Sequence, residues 1–232
     1  EIKAFITNTT FKDVPIIHIS ARTNVNIDVL LQAIKKFVLT PARDLNKDPI
    51  MLVARSFDIN KPGAKTEKLF GGVLGGTVKQ GKFKVGDVIE ILPGYSVEEK
   101  NKKVWKPLQT KVVQIFSGGA PVQEILPGGS MAISTTLDPS IVKSDSLVGS
   151  LVGVPGKLPK VYSQISLDTH LLGRVVGTKE EVDVKPLAKA EVLMLNVNST
   201  ATVGIVTNPS KKNTECILKK PICANPGDRI TI

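Results

Sequence analysis

Four glycines fall within six residues in the run Gly71-Gly72-Val73-Leu74-Gly75-Gly76, inside a stretch that otherwise reads as a strand. Glycine within a strand forfeits side-chain packing and costs backbone entropy. A cluster of them therefore marks a bulge, a sharp bend at a barrel corner, or a place where another molecule lies against the main chain. Ahead of the run an apolar segment ends in the polar turn Asn60-Lys61-Pro62-Gly63. After it, Gly86-Asp87 feeds the alternating Val88-Ile89-Glu90-Ile91, a turn leading into a half-buried strand. The pattern predicts a small β-barrel.

From Ile50 onward the texture is β throughout: Ile50 to Val53, Lys103 to Phe116, Ser130 to Thr135 and Ser146 to Val152, each bounded by Pro, Gly or Asp. Such spacing is expected of closed or nearly closed barrels. Between the strands, the lysine-rich stretch Glu98 to Lys103 predicts a charged hairpin tip. Val154-Pro155-Gly156-Lys157-Leu158-Pro159 marks a boundary, beyond which Val161 to Leu167 and Val192 to Val197 alternate again. The chain closes on Asn225-Pro226-Gly227-Asp228-Arg229-Ile230-Thr231-Ile232, which repeats the Gly-Asp turn ahead of an x-Ile-x-Ile strand. In both copies Gly permits the left-handed turn residue and the Asp carboxylate ties the turn. The repeat predicts two related barrels, over 50–156 and 157–232.

The first 41 residues read differently. Val14-Pro15-Ile16-Ile17-His18-Ile19 fits a buried parallel strand, followed by a polar loop from Ser20 to Asn26. Ile27, Leu30, Leu31, Ile34 and Phe37 then recur at helical spacing. Asn24 or Asn26 is placed to cap the start, Asp28 suits the positive end, Lys35 and Lys36 suit the negative end, and Pro41 stops the helix. A strand, a loop and a helix with no second strand make the end of an α/β domain, so the chain is expected to begin inside one. Residues 42–49 read as a polar linker.

The formal net charge of +10 favours a polyanionic partner, RNA or an anionic surface, and also serves solubility. Aromatic residues are only 4% of the chain, which argues against base stacking and for phosphate contacts by Lys and Arg. Cys216 and Cys223 read as reduced, packed side chains. With no signal peptide and no membrane-spanning run, a soluble, cytoplasmic protein is expected. No catalytic or metal-binding constellation emerges: His18 falls in the expected buried strand and His170 in an apolar one, without clustered carboxylates or cysteines.

Arg55-Ser56-Phe57-Asp58-Ile59-Asn60-Lys61-Pro62-Gly63, followed by Gly71-Gly72-Val73-Leu74-Gly75-Gly76-Thr77-Val78, resembles the second domain of the gamma subunit of eukaryotic and archaeal translation initiation factor 2, a relative of elongation factor Tu. The resemblance continues from Ala120 to Gly153 and on to Ile232. It implies a mainly β chain: the end of a GTP-binding α/β domain followed by two elongation-factor-Tu-like β-barrels. It also implies a role in translation initiation, in which the subunit with GTP and Mg2+ binds initiator methionyl-tRNA and delivers it to the small ribosomal subunit, in a heterotrimer with alpha and beta subunits.

Residue by residue, Ser20 and Ala21 match the family's guanine-binding Ser-Ala-Gln motif, with Arg22 in place of the usual Gln. The implied tRNA wall comprises Arg55, Phe57, Gly71, Gly72, Gly75, Gly76 and Lys79: missing side chains leave room for an adenine or methionyl group, Phe57 offers an apolar face, and Arg55 and Lys79 meet phosphates. Each also has an ordinary reading: the glycines as a barrel corner, Phe57 as core, Arg55 in an internal ion pair, Lys79 as a solvated surface charge. The family hydrolyses GTP. This sequence has neither a GxxxxGK[ST] phosphate loop nor an Asn-Lys-x-Asp motif, so by itself it is not expected to bind or hydrolyse GTP, and no cofactor is expected for it alone. An elongation-factor-like carrier of aminoacyl-tRNA and a structural adaptor without RNA contact are the competing readings.

Overall fold

A computed structural model describes residues 1–7, 9–100, 102–173, 183–210 and 212–232. The chain divides into two compact units, Glu1–Ala42 and Arg43–Ile232.

The first unit holds a short helix α1 (Ile2–Ile6) and the expected amphipathic helix α2 (Ile27–Phe37), with Asp28 in its first turn and Lys35 and Lys36 in its last. Two expectations are corrected. Neither Asn24 nor Asn26 caps α2 through its side chain. Asn26, in left-handed backbone, instead donates from Nδ2 to the His18 carbonyl at 2.9 Å. Residues 14–19 form no strand and His18 is exposed, because a strand exists only through a ladder to a neighbour and the described residues of this unit offer none. Its β pairing is confined to a single bridge between Ser20 and Val25.

The described residues of the second unit build fourteen strands. The first nine are β1 (Ile50–Phe57), β2 (Val73–Gln80), β3 (Phe83–Lys84), β4 (Val88–Glu99), β5 (Lys102–Ser117), β6 (Ala120–Val122), β7 (Glu124–Ile125), β8 (Met131–Thr135) and β9 (Leu151–Gly153). Antiparallel pairing runs β4-β9-β1-β2-β8-β5, and β4 also pairs with β5, so six strands close into a ring and the barrel is complete. Its interior is filled by Met51, Val53, Leu74, Phe83, Ile89, Ile91, Ile115 and Ile133, inward residues of the strands, and by Leu147 from the segment ahead of β9. The lysine-rich stretch tips the β4–β5 hairpin, whose ladder runs out to Glu98↔Lys103 and Glu99↔Lys102; Asn101 lies outside the described residues.

A short α3 (Pro139–Val142), capped by Asp138 accepting from the Ser140 N–H at 2.8 Å, precedes a strap over 143–150. A strand was expected from Ser146 to Val152. Only Leu151–Gly153 is one, because Ser144 and Asp145 adopt left-handed φ of 55° and 56° and curl the chain.

The second sheet is β10 (Val161–Leu167), β11 (Val192–Val197), β12 (Thr200–Asn208), β13 (Thr214–Cys223) and β14 (Ile230–Thr231), antiparallel in the order β10-β13-β12-β11-β14. One face buries Leu167, Leu193, Leu195, Val206, Cys216, Leu218 and Ile222. His170 lies past the end of β10 and is exposed, not within a strand. Both cysteines are free and buried, and the Cys223 thiol donates to the Pro159 carbonyl.

The two Gly-Asp turns are the same device. Gly86 (φ 96°) and Gly227 (φ 88°) take the left-handed turn position, and Asp87 Oδ2 accepts from the Lys84 N–H at 2.7 Å as Asp228 Oδ2 does from the Asn225 N–H at 2.9 Å. In the first copy the Val85 N–H also donates to the Gln123 carbonyl at 3.0 Å.

Candidate nucleic-acid interface

The candidate site begins with a register shift. Along β1 Val53 pairs with Gly76 and Arg55 with Gly75, so Ala54 is an extra, bulged residue. Before the bulge, Met51 and Val53 point inward; after it Ser56 does, and Arg55 and Phe57 turn outward. A bulge re-aims every side chain beyond it. Had the pleat run on unbroken, Arg55 and Phe57 would face the core. The buried Ser56 is satisfied, its Oγ accepting from the Leu147 N–H at 3.1 Å.

Of the four glycines, three are explained by the protein itself. A Cβ on Gly71 would lie 1.9 Å from the Thr135 carbonyl oxygen, one on Gly76 1.9 Å from the Leu52 oxygen, and one on Gly72 2.5 Å from Val142 Cγ1. These positions therefore bring strands and α3 into close approach. The open space expected at them for a bound group is filled by the chain's own atoms. Gly75 differs: its missing side chain would point beside Arg55 Cβ at 3.5 Å and the Phe57 ring at 3.8 Å, ordinary contact distances on the outer face. Arg55, Phe57 and Gly75 form one patch. Lys79 is exposed four residues on from Gly75, about 13 Å along β2, and is the extra residue at a second register shift, between the Ile50–Gln80 and Met51–Val78 pairs.

The strap supplies residues that had no motif to announce them. Asp145 Oδ1 accepts from Arg55 Nε at 3.0 Å and from the Ser56 N–H at 2.9 Å, fixing the head of the guanidinium while leaving the Arg55 side chain 68% exposed. The Ser56 N–H and then Arg55 hold the Asp145 carboxyl below its usual pKa. Beside it Asp58 Oδ2 lies 3.6 Å from Lys143 Nζ, and its carboxyl is also lowered, first by the Asn60 N–H. Asn60 pins the next loop by exchanging bonds with the Phe70 main chain, both at 2.7 Å. Ile59, Leu69 and Phe70, in the connection between β1 and β2, are exposed.

In the first unit, Ser20 Oγ accepts from Thr23 Oγ1 at 2.7 Å, while Ala21 and Arg22 sit exposed in the turn that follows. This turn presents main-chain groups and an exposed guanidinium. No cluster of three His, Cys, Asp or Glu able to hold a metal occurs among the described residues.

The family model described as "Initiation factor eIF2 gamma, C terminal" matches residues 163–232. "Translation initiation factor 2 subunit gamma" of Pyrococcus horikoshii is 51% identical over all 232 residues, and that of Methanocaldococcus jannaschii is also 51% identical over the same span. The chain belongs to the gamma-subunit family of translation initiation factor 2. It spans 56% of the length of each of these two relatives. The translation elongation factor SelB of Methanococcus maripaludis, solved with the GTP analogue GppNHp, superposes with a TM-score of 0.72 over 99% of this chain and 49% of its own, at 18% identity. At that identity the likeness is one of fold, and the mainly β, elongation-factor-Tu-like barrel architecture of this gamma-subunit chain agrees with it.

Proposed function

We propose that this chain is the barrel-bearing part of a translation initiation factor subunit that binds initiator methionyl-tRNA, and that the Arg55–Phe57–Gly75 patch with Lys79 meets the aminoacyl end and its phosphates. One observation carries the reading: the Ala54 bulge turns a cation and an aromatic ring outward together, across from a glycine that keeps the space beside them clear. A guanidinium held at one nitrogen by a carboxylate keeps its remaining donors in a fixed plane, which suits phosphate and carbonyl oxygens. Lys79, farther along β2, adds a second exposed positive charge.

In the whole subunit, GTP with Mg2+, the alpha and beta subunits and the small ribosomal subunit complete the assembly. Ser20, Ala21 and Arg22 would contribute main-chain contacts to the guanine. This sequence itself carries no GxxxxGK[ST] phosphate loop.

A chimera carrying these 232 residues in place of the matching segment of the Pyrococcus horikoshii relative provides the test. Filter binding should show tighter retention of initiator than of elongator methionyl-tRNA. Arg55→Ala with Lys79→Ala should weaken binding and reduce its salt slope by about two. An unchanged slope would refute the reading. The exposed Ile59, Leu69 and Phe70 favour a second reading for the adjacent edge, a protein partner such as another subunit; Phe70→Asp would then abolish assembly and leave tRNA affinity intact.

A further inference from the structure

The two barrels meet at the strap. Thr200, the buried first residue of β12, donates from Oγ1 to the Gly149 carbonyl, and its side chain occupies the space a Cβ on Gly149 would need. Lys220 of β13 donates from Nζ to the Val148 carbonyl at 2.7 Å and lies 5.5 Å from the Trp105 ring centroid. Its backbone is locked in place, because Thr202 Oγ1 both accepts from the Lys220 N–H at 3.1 Å and donates to the Lys220 carbonyl at 2.8 Å.

The strap continues the chain of bonds. The Val148 N–H donates to the Asp145 carbonyl at 3.0 Å, and the Gly149 N–H donates to the Val53 carbonyl at 2.9 Å, next to the bulge. Asp145, at the other end, is the residue that grips Arg55 and the Ser56 N–H. Because Ser144 and Asp145 sit in left-handed backbone, where non-glycine residues are strained, the local chain does not favour this curl by itself. Anchors at Val148 and Gly149 hold it.

We propose that Thr200 and Lys220 of the second barrel are positioning residues for Arg55, acting through the 143–150 strap: the second barrel sets the orientation of the first barrel's outward cation. The consequence for tRNA binding rests on the reading given above; the positioning itself does not. It also assigns Lys220 a reason to be half-buried despite the desolvation that lowers its pKa. Replacing a partly buried ammonium by an apolar chain of similar length is often neutral or stabilising. Stability and positioning should therefore part company in Lys220→Met.

The experiment uses the chimera with Thr200→Val, Lys220→Met, their combination, Thr200→Ser, and Val206→Ala as a control that loosens the second barrel's core six residues along β12 from Thr200. Hydrogen exchange at the Ser56 amide reports on Asp145, and filter binding reports on initiator tRNA. With both anchors gone, Ser56 exchange should accelerate about tenfold, the worth of two lost hydrogen bonds. Initiator tRNA affinity should fall by roughly fivefold. Thr200→Ser should behave as the parent, and Val206→Ala should leave both readouts unchanged. Ser56 exchange unmoved in all of the Val and Met variants, single and combined, would overturn the positioning role. Ser56 exchange accelerated with tRNA affinity unchanged would uphold the positioning role and refute the tRNA contact at Arg55.

Discussion

Arg55 and Asp145 are 90 residues apart in sequence and 3.0 Å apart at Nε and Oδ1, and the same carboxylate oxygen takes the main-chain N–H of Ser56. One acid thus serves both the outward cation and the strand that carries it. The carboxylate's charge and its shape can be tested apart.

Asp145 has a folded-state pKa below its ordinary value of 3.8, first because of the Ser56 N–H and then Arg55. A depressed carboxyl stabilises the fold above the unfolded pKa, and that contribution is lost as pH falls through the folded pKa. Asp145→Asn keeps the shape and an acceptor but removes the charge. Urea midpoints measured from pH 7 to about pH 2 should show the variant below the parent at neutral pH and the gap closing in acid. A gap independent of pH would deny the charge any role.

Gly75 and Gly76 are neighbours with opposite constraints. A Cβ at Gly76 would sit 1.9 Å from the Leu52 oxygen, whereas one at Gly75 would meet Arg55 Cβ at an ordinary 3.5 Å. Gly76→Ala must push β1 and β2 apart and should cost at least about 2 kcal/mol. Gly75→Ala should fall within about 0.5 kcal/mol of the parent in stability, and should weaken initiator tRNA binding if the patch is the contact surface. Thermal denaturation of both variants, with filter binding of the second, checks the pair.

Cys223 is buried, and desolvation, then Glu90 and Asp228, push its thiol up to about 12. Only about one thiol in ten thousand is then ionised at pH 8, and the thiolate is the reactive form. Burial raises Cys216 as well. Neither should react with an aromatic disulfide reagent at pH 8 until denaturant is added, when both should react. Rapid labelling of the folded protein would contradict the packing described.

Ser150 is buried, and its Oγ has no hydrogen-bond partner among the described residues. An unsatisfied buried hydroxyl costs desolvation with no return. Ser150→Ala should leave stability unchanged or raise it by up to about 1 kcal/mol, read from urea denaturation at pH 7. A clear loss would mean the hydroxyl is satisfied.

What the sequence disclosed was periodic or local. Val161–Leu167 and Val192–Val197 alternate and are strands with those bounds, and the Gly-Asp pairs form the expected turns with the expected carboxylate bond. What stayed hidden depended on partners distant in the chain. Val14 to Ile19 has the composition of a strand and, among the described residues, no neighbour to pair with. The bulge at Ala54 leaves no mark in Val53-Ala54-Arg55-Ser56, yet it decides which way Arg55 faces. Three glycines read as room for a ligand are contacts between segments far apart in sequence, visible only once Thr135, Val142 and Leu52 are in place. Asp145, Thr200 and Lys220 belong to no motif. The one local hint near the strap was Asp138-Pro139-Ser140, a helix-start signature.

The paired corners of the two barrels are alike but not exchangeable in both directions. Where Val85 offers an amide hydrogen to Gln123, the second barrel has Pro226, which has none to give. Transplanting the proline version upstream would unzip a rung between the corner and its neighbour, whereas the valine version could be carried downstream at the cost only of proline's preset geometry. Evolution by copying one barrel corner into the other has, at this spot, a one-way door.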